Sequence, residues 1–368
     1  MRRSTGRLLS AIGITAAAAL LAACGTSTTP AASPTSAEVS SAGASPSAEA
    51  DGSTTEAPLD PGALVVYNAQ HENLTQAWAD AFSAANGGVK IQLRNGSDLE
   101  LANQLAAEGS ASPADVFITE NSPGMNVVES AGLFADVSPS TLSQIPAQYS
   151  PSTGKWVGVA ARSTVFVYNT SKLTEDQLPA SLLDLAQPEW KGRWAASPGG
   201  ADFQAIVSAL YELKGADATE AWLTGMQENF TAYKGNSTVM KAVNAGEIDG
   251  GVIYHYYWYG DQAKTKENSA NTALHYFGNQ DPGAFVSVSG AGVLASSTKQ
   301  ELAQKFVAFV ASEAGQKIVA DTVLEYPLLD SAVNPALKPL SSLDAPVVDP
   351  ATLNSVAVSN LMTQVGLL

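Results

Sequence analysis

Cysteine is nearly missing from this chain: one, Cys24, in 368 residues. A single thiol makes no intramolecular disulfide and excludes both a disulfide framework and a cysteine-cluster metal site. Histidine is almost as scarce, at positions 71, 255 and 275 only, which removes the multi-histidine zinc arrangements. There is no His-Glu-x-x-His, no Gly-x-Ser-x-Gly and no phosphate-cradling Gly-x-x-x-x-Gly-Lys-Ser/Thr. Positive charge is also in deficit, with 19 Lys and Arg against 35 Asp and Glu and a formal charge of −16. That balance argues against nucleic acid and against adhesion to anionic membranes, and it favours cationic ligands.

The N-terminus carries Arg2, Arg3 and Arg7 ahead of an apolar run from Leu8 to Ala23, too short to span a bilayer stably. The run ends in Leu21-Ala22-Ala23-Cys24-Gly25. This resembles a bacterial lipoprotein lipobox, which implies residues 1–23 as the cleaved signal and Cys24 as the lipidated first residue of the mature chain. Losing residues 1–23 removes three arginines and no acid, so the charge moves from −16 to −19. Residues 26–60 are almost entirely Ser, Thr, Ala, Pro, Gly and acid. A segment of that composition buries too little apolar surface to offset its ordering entropy and is expected to be a tether. The mature protein is then expected outside the cell, held to the outer face of the cytoplasmic membrane.

The remaining 62–368 is long enough for two lobes. Leu64–Tyr67 reads as a buried strand. Leu74, Ala77, Trp78, Ala81, Phe82 and Ala85 fall on one helical face. Val89–Leu93 alternates as a second strand, Ser97 and Glu100 suggest a capping box before a helix ended by Gly109, and Asp115–Thr119 is a third strand. Strands alternating with helices imply a parallel sheet, whose ligands gather beyond the carboxyl ends of the strands. His71 lies just past the first strand and Glu120 just past the third. A second α/β segment runs from about 165 to 286, with a strand at Val165–Tyr168, a helical face of Ala205, Val207, Leu210 and Leu213, and a strand at Gly251–Ile253. Leu302, Phe306, Phe309 and Val310 mark a further amphipathic helix.

The most informative run is Tyr254-His255-Tyr256-Tyr257-Trp258-Tyr259, with four of the eleven tyrosines in six residues. An aromatic strand packed in a core is the simpler reading of this stretch taken alone. The other is a hard-metal site. Phenols ligate once deprotonated, and a bound cation can take that proton. With Glu120 and His71, the phenols of Tyr256 and Tyr257 make an oxygen-rich set with one imidazole, a combination that suits iron better than calcium or magnesium. Adjacent side chains on a strand point to opposite faces. If both tyrosines share one metal, a strand must end or a helix must start at Tyr256.

Five runs, in order, resemble the ferric-iron-binding substrate-binding proteins of bacterial ABC transporters: Val66–His71, Pro113–Glu120, Tyr256–Tyr259, Gln280–Ala284 and Glu325–Leu328. The resemblance covers nearly all of 62–368. It implies an α/β, two-lobe class II periplasmic-binding-protein fold, with lobe 1 made of 62–164 plus 287–337 and lobe 2 of 165–286 plus 338–368. Hinge strands are implied near 162–166 and 284–288. It implies Fe3+ held by His71 and Glu120 from one lobe and Tyr256 and Tyr257 from the other. A synergistic anion, phosphate or carbonate, is implied near Asn236, Gly200, Ala201 and Arg162. The family's Ser-Gly-Ala anion loop is replaced here by Gly200-Ala201-Asp202, and an aspartate there repels an anion. The paired asparagines before the tyrosines are replaced by Tyr254 and His255, each a further ligand or a packing residue. Arg162 either faces the anion or forms a surface salt bridge. The implied partners are an ABC permease and its ATPase, with the binding protein a monomer and not an enzyme. Three other readings stand beside this one: a binder of thiamine, a polyamine or an organophosphonate on the same fold, a secreted hydrolase using Glu120 with a second carboxylate, and a structural surface lipoprotein.

Overall fold

The computed structural model describes residues 58–368, so the expected leader, Cys24 and most of the expected tether lie outside the described residues. The first lobe is built from β1 (Leu64–Asn68), α1 (Glu72–Ala85), β2 (Ile91–Asn95), α2 (Asp98–Glu108), β3 (Val116–Ile118), α3 (Ser122–Ser130) and α4 (Pro139–Leu142). A long strand, β4 (Val157–Asn169), leads to β5 (Trp194–Ala196), α5 (Ala201–Lys214), α6 (Ala216–Asn229), β6 (Phe230–Ala232), α7 (Asn236–Ala245), β7 (Gly250–Tyr254), α8 (His255–Lys264) and β8 (Thr272–His275). The chain returns along β9 (Val286–Val293) to α9 (Gln300–Ala311) and α10 (Glu313–Thr322), and closes with α11 (Ser355–Gln364). Among the described residues no helix is long and apolar enough to cross a membrane.

The expected parallel pairing holds within each lobe: β1 lies parallel to β2 and β3, and β5 parallel to β6 and β7. It fails for the connecting strands. β4 and β9 pair antiparallel, because one carries the chain out of the first lobe and the other brings it back. β4 pairs with β9 from Val157 to Ser163, then with β7 from Thr164 to Tyr168 and with β8 from Phe166 to Asn169. One strand therefore joins the two halves of a mixed sheet ordered β2-β1-β3-β9-β4-β7-β5-β6.

Each half has apolar layers on both faces. Trp78 and Phe82 of α1 meet Phe306 of α9 on one face of the first lobe, and Leu101, Leu105 and Trp156 fill the other. In the second lobe Trp194, Phe203 and Trp222 lie on one face, and Val165, Val239 and Ile253 on the other. Leu337 and Leu343 pack into the first lobe, whereas Leu353, Val358 and Met362 pack into the second.

Two local expectations need correction. Ser97 does precede α2 and Gly109 does end it, with φ at 55°, but the serine hydroxyl bonds the Glu100 carboxylate and not a backbone N–H, so the capping box is not formed. On α5, burial is not confined to one face. Residues 202 to 210 are all buried, because the helix is sandwiched between the sheet, α6 and α11, and Leu213 is only partly covered.

Gly158 sits at a register shift in β4, and a Cβ there would collide with the Tyr149 carbonyl oxygen, a backbone atom with nowhere to go. Gly158→Ala is expected to lower stability by about 1–3 kcal/mol. A fall in the urea midpoint with an unchanged denaturant slope is the result to look for.

Candidate metal centre

The expected metal- and anion-site residues sit at or just before the starts of helices, or on the strand that joins the lobes. In the first lobe His71 is the N-cap of α1, directly after β1. Glu120 follows β3, and Asn121 caps α3. Asp98, in the first turn of α2, accepts the backbone N–H groups of Glu120 (2.8 Å) and Asn121 (3.1 Å), which ties two βα loops together. In the second lobe Gly200 caps α5, Ala201 opens it and Asp202 follows in its first turn. Asn236 opens α7. β7 ends at Tyr254 and α8 starts at His255, so Tyr256 and Tyr257 occupy a first helical turn, as the shared-face argument requires. Helix N-termini favour negative charge, and these point at one cleft.

The two halves meet there. His71 and Tyr256 pack edge to face at 5.2 Å between ring centroids, and the rings of Tyr256 and Tyr257 stack at 4.2 Å. His71 Nδ1 lies 3.3 Å from Glu120 Oε1. Tyr257 Oη donates to Asp202 Oδ2 at 3.2 Å, and Asn236 Nδ2 donates to the same oxygen at 2.8 Å. Asn121 Nδ2 reaches across to Asp202 Oδ1 at 3.0 Å while also bonding Asp98 Oδ2 at 3.0 Å. Tyr256 Oη is buried and, among the described residues, has no hydrogen-bond partner. An orphaned phenol costs free energy unless something binds it.

Burial sets the protonation of this cluster. It raises the phenols of Tyr256 and Tyr257 above the ordinary tyrosine value, and the Asp202 carboxylate adds to that. Burial pushes Glu120 up to about 8 against the pull of Arg162, with the charge of Asp202 reinforcing it. Asp98 is pushed up to about 7, again by burial, in spite of the Asn121 hydrogen bond. Burial pulls the His71 imidazole down, but the hydrogen bond and charge of Glu325, helped by Glu120, outweigh it and leave the group raised. At neutral pH the phenols hold their protons, so an entering cation must displace them.

The donor set fits a hard trivalent ion. Among the described residues no group of three or more His, Cys, Asp or Glu is by itself arranged to hold a metal. Two phenols, the Glu120 and Asp202 carboxylates and one imidazole make up that donor set.

Neither Tyr254 nor His255 faces the cleft as a free donor. Tyr254 Oη is buried against Asn121 Oδ1 (3.4 Å) and the Asp202 carbonyl (3.3 Å). His255 stacks on Tyr326 at 4.4 Å, its Nδ1 accepts from the Ser163 N–H, and burial lowers it to about 3, so it stays neutral. His275 bonds the Pro179 carbonyl. Of the two roles open to Arg162, an anion contact or a surface salt bridge, the salt bridge is formed but lies in the interior: both Arg162 and Glu325 are 0% exposed, with Nε 3.1 Å from Oε1. Sequence reasoning missed Asp98 and Glu325 and treated Asp202 only as a repulsive group. A signal for Glu325 existed: an arginine inside an apolar strand requires a buried acid somewhere in the chain.

Residues 111–350 match the profile of the bacterial extracellular solute-binding proteins. Over 307 residues, 83% of this chain and 90% of the relative, the chain is 63% identical to the Fe(3+)-binding periplasmic protein of Serratia marcescens. It is 38% identical to the major ferric iron-binding protein of Neisseria meningitidis serogroup B, over 83% of this chain and 93% of that one. Iron-bound HitA from Pseudomonas aeruginosa superposes with a TM-score of 0.77 at 43% identity, covering 83% of this chain and 99% of that chain. The chain belongs to the bacterial extracellular solute-binding protein family and has its two-lobe α/β fold.

Proposed function

We propose that this solute-binding protein carries ferric iron between its two lobes and hands it to an ABC permease and its ATPase. The observation that carries the reading is the pair Tyr256 and Tyr257 in one helical turn, opposite His71 and Glu120, with the Tyr256 oxygen buried and unpartnered. The names of its relatives in Serratia and Neisseria support it. His71 and Glu120 ligate from lobe 1 (62–164 plus 287–337), and Tyr256 and Tyr257 from lobe 2 (165–286 plus the C-terminal stretch that carries Leu353, Val358 and Met362). β4 and β9 are the hinge. Iron favours the closed state because only that state brings both half-sets together. Residues 1–23 are the leader, Cys24 anchors the mature monomer to the outer face of the cytoplasmic membrane, and residues 25–61 are the tether. Cargo binding, not catalysis, is its activity.

Asp202 changes the part played by the anion. Its carboxylate already occupies Asn236 Nδ2 and the Tyr257 hydroxyl, the groups an exogenous phosphate or carbonate would engage. The protein thus brings its own anion on α5. Wild-type protein is expected to load iron in buffer free of phosphate and carbonate, whereas Asp202→Ala should need one of them added. Titration of the visible band with and without each anion checks this.

The deciding experiment for the function is an absorption spectrum before and after ferric citrate. A broad visible band supports phenolate-bound iron. A colourless protein with an unshifted melting temperature overturns the reading and sends the search to thiamine, polyamines and organophosphonates.

A further inference from the structure

Behind His71 lies a buried polar network that meets the proposed ligand set through His71 itself. Glu325 Oε1 contacts His71 Nε2 at 3.0 Å and Arg162 Nε at 3.1 Å. Glu325 Oε2 accepts from Gln70 Nε2 at 3.3 Å. Gln70 Oε1 in turn accepts from Arg162 Nη2 (3.3 Å) and from the His71 backbone N–H (2.7 Å), and Gln70 Nε2 also donates to Ser289 Oγ (2.9 Å). The carboxylate cannot drift. Its neighbour Tyr326 exchanges two backbone hydrogen bonds with Ala161 of β4, each 2.9 Å, so the 324–327 segment is stitched to the strand that carries Arg162.

The two imidazole nitrogens therefore face different worlds. Nε2 is turned inward to a carboxylate that is 0% exposed, and Nδ1 is turned to Glu120 in the cleft, where the histidine side chain is 28% exposed. Rotating the ring to present Nε2 to the cleft would break the Glu325 contact and leave a buried carboxylate one hydrogen bond short.

We propose that Glu325, clamped by Arg162 and Gln70, is the positioning residue for His71: it holds Nε2 and so delivers Nδ1 to the metal. The proposal rests on the ferric reading above. Metal-bound histidines commonly give their other nitrogen to a carboxylate, which fixes the ring and raises its basicity, and losing such a partner costs ~10–100-fold in metal affinity.

Two measurements test this. The first is iron affinity by competition with citrate for wild type, Glu325→Gln, and the double variant Glu325→Gln/Arg162→Gln, which removes both buried charges together. Both variants are expected to stay coloured and to bind iron ~10–100-fold more weakly. The second is 15N NMR of histidine-labelled wild-type protein loaded with gallium(III), with the His71 signals assigned by their loss in His71→Asn. The expected result is a metal-bound Nδ1 and a protonated Nε2. Folded variants with wild-type affinity, or gallium on Nε2, overturn the proposal. If a variant does not fold, the gallium spectrum of the wild type decides alone. A wild type that takes up neither ion overturns the ferric reading first, and with it any cargo for Glu325 to position, an outcome distinct from a metal-binding wild type whose variants are unaltered.

Discussion

Tyr256→Phe and Tyr257→Phe are each expected to lose most of the visible absorption of the iron-loaded protein and to bind ferric iron at least ~1,000-fold more weakly, beyond the ~10–100-fold typical of losing a group that only supports a ligand. The argument is electrostatic. A trivalent ion in a closed cleft must be met by anionic ligands, and each phenolate supplies one charge at the metal itself. Phenylalanine keeps the ring, the stacking between the two tyrosines and the edge contact with His71, so packing survives while the ligand is lost. The two variants should differ in the ligand-free protein. Tyr256 Oη has no partner among the described residues, so Tyr256→Phe is expected to leave the apo protein at least as stable as wild type. Tyr257 Oη donates to Asp202, so Tyr257→Phe removes a hydrogen bond and is expected to lower apo stability by about 1 kcal/mol. Absorption titrations with ferric citrate and melts of the iron-free proteins check both halves. Full colour in either variant would remove that tyrosine from the ligand set.

Arg162→Met produces the largest expected loss of stability. Arg162 lies in the middle of a thirteen-residue strand buried along its whole length, and its partner Glu325 is equally buried. Removing the guanidinium leaves the buried carboxylate without its charged partner and, among the described residues, in polar contact only with Gln70 and His71, a change that costs about 3–5 kcal/mol. In a protein of this size that is roughly 5–8 °C in melting temperature. The companion variant Arg162→Met/Glu325→Leu removes both charges and is expected to recover much of the loss, because a buried pair is often no more stable than apolar side chains of similar volume. Differential scanning calorimetry of the iron-free proteins gives both numbers. A single variant that melts with the wild type would mean that Glu325 finds its charge balance elsewhere, with His71 the first place to look.

Particular residues show how far the chain could be read before its fold was known. The strands at Leu64–Tyr67 and Gly251–Ile253 and the helix bearing Trp78 and Phe82 were legible, since strand and helix periods are written into neighbouring residues. The break ahead of Tyr256 was legible for a geometric reason: two adjacent side chains can share a ligand only where the backbone leaves strand geometry. The all-round burial of α5 was not, because it depends on what packs against the helix rather than on the helix itself. The Ser97 hydroxyl was misjudged on the same ground, its choice between a backbone N–H and the Glu100 carboxylate being a matter of rotamers in three dimensions.

By itself, then, the sequence determined the type of chemistry: too few cysteines and histidines for a soft metal, a cluster of phenols, and an acidic balance suited to a cation. It also determined the alternation of strands and helices that puts loops on one rim. The tertiary structure decided which residues meet. Asp202 stands 55 positions before Tyr257, yet its carboxylate receives that tyrosine's hydroxyl. Glu325 lies 163 positions after Arg162, and the same carboxylate oxygen meets both that arginine and His71. Local sequence carries no record of such pairings, because they arise only when the second lobe sets α5 beside α8 and the 324–327 segment pairs with β4 at Ala161. A buried charge is tolerated only where that pairing brings its counter-charge within hydrogen-bond reach.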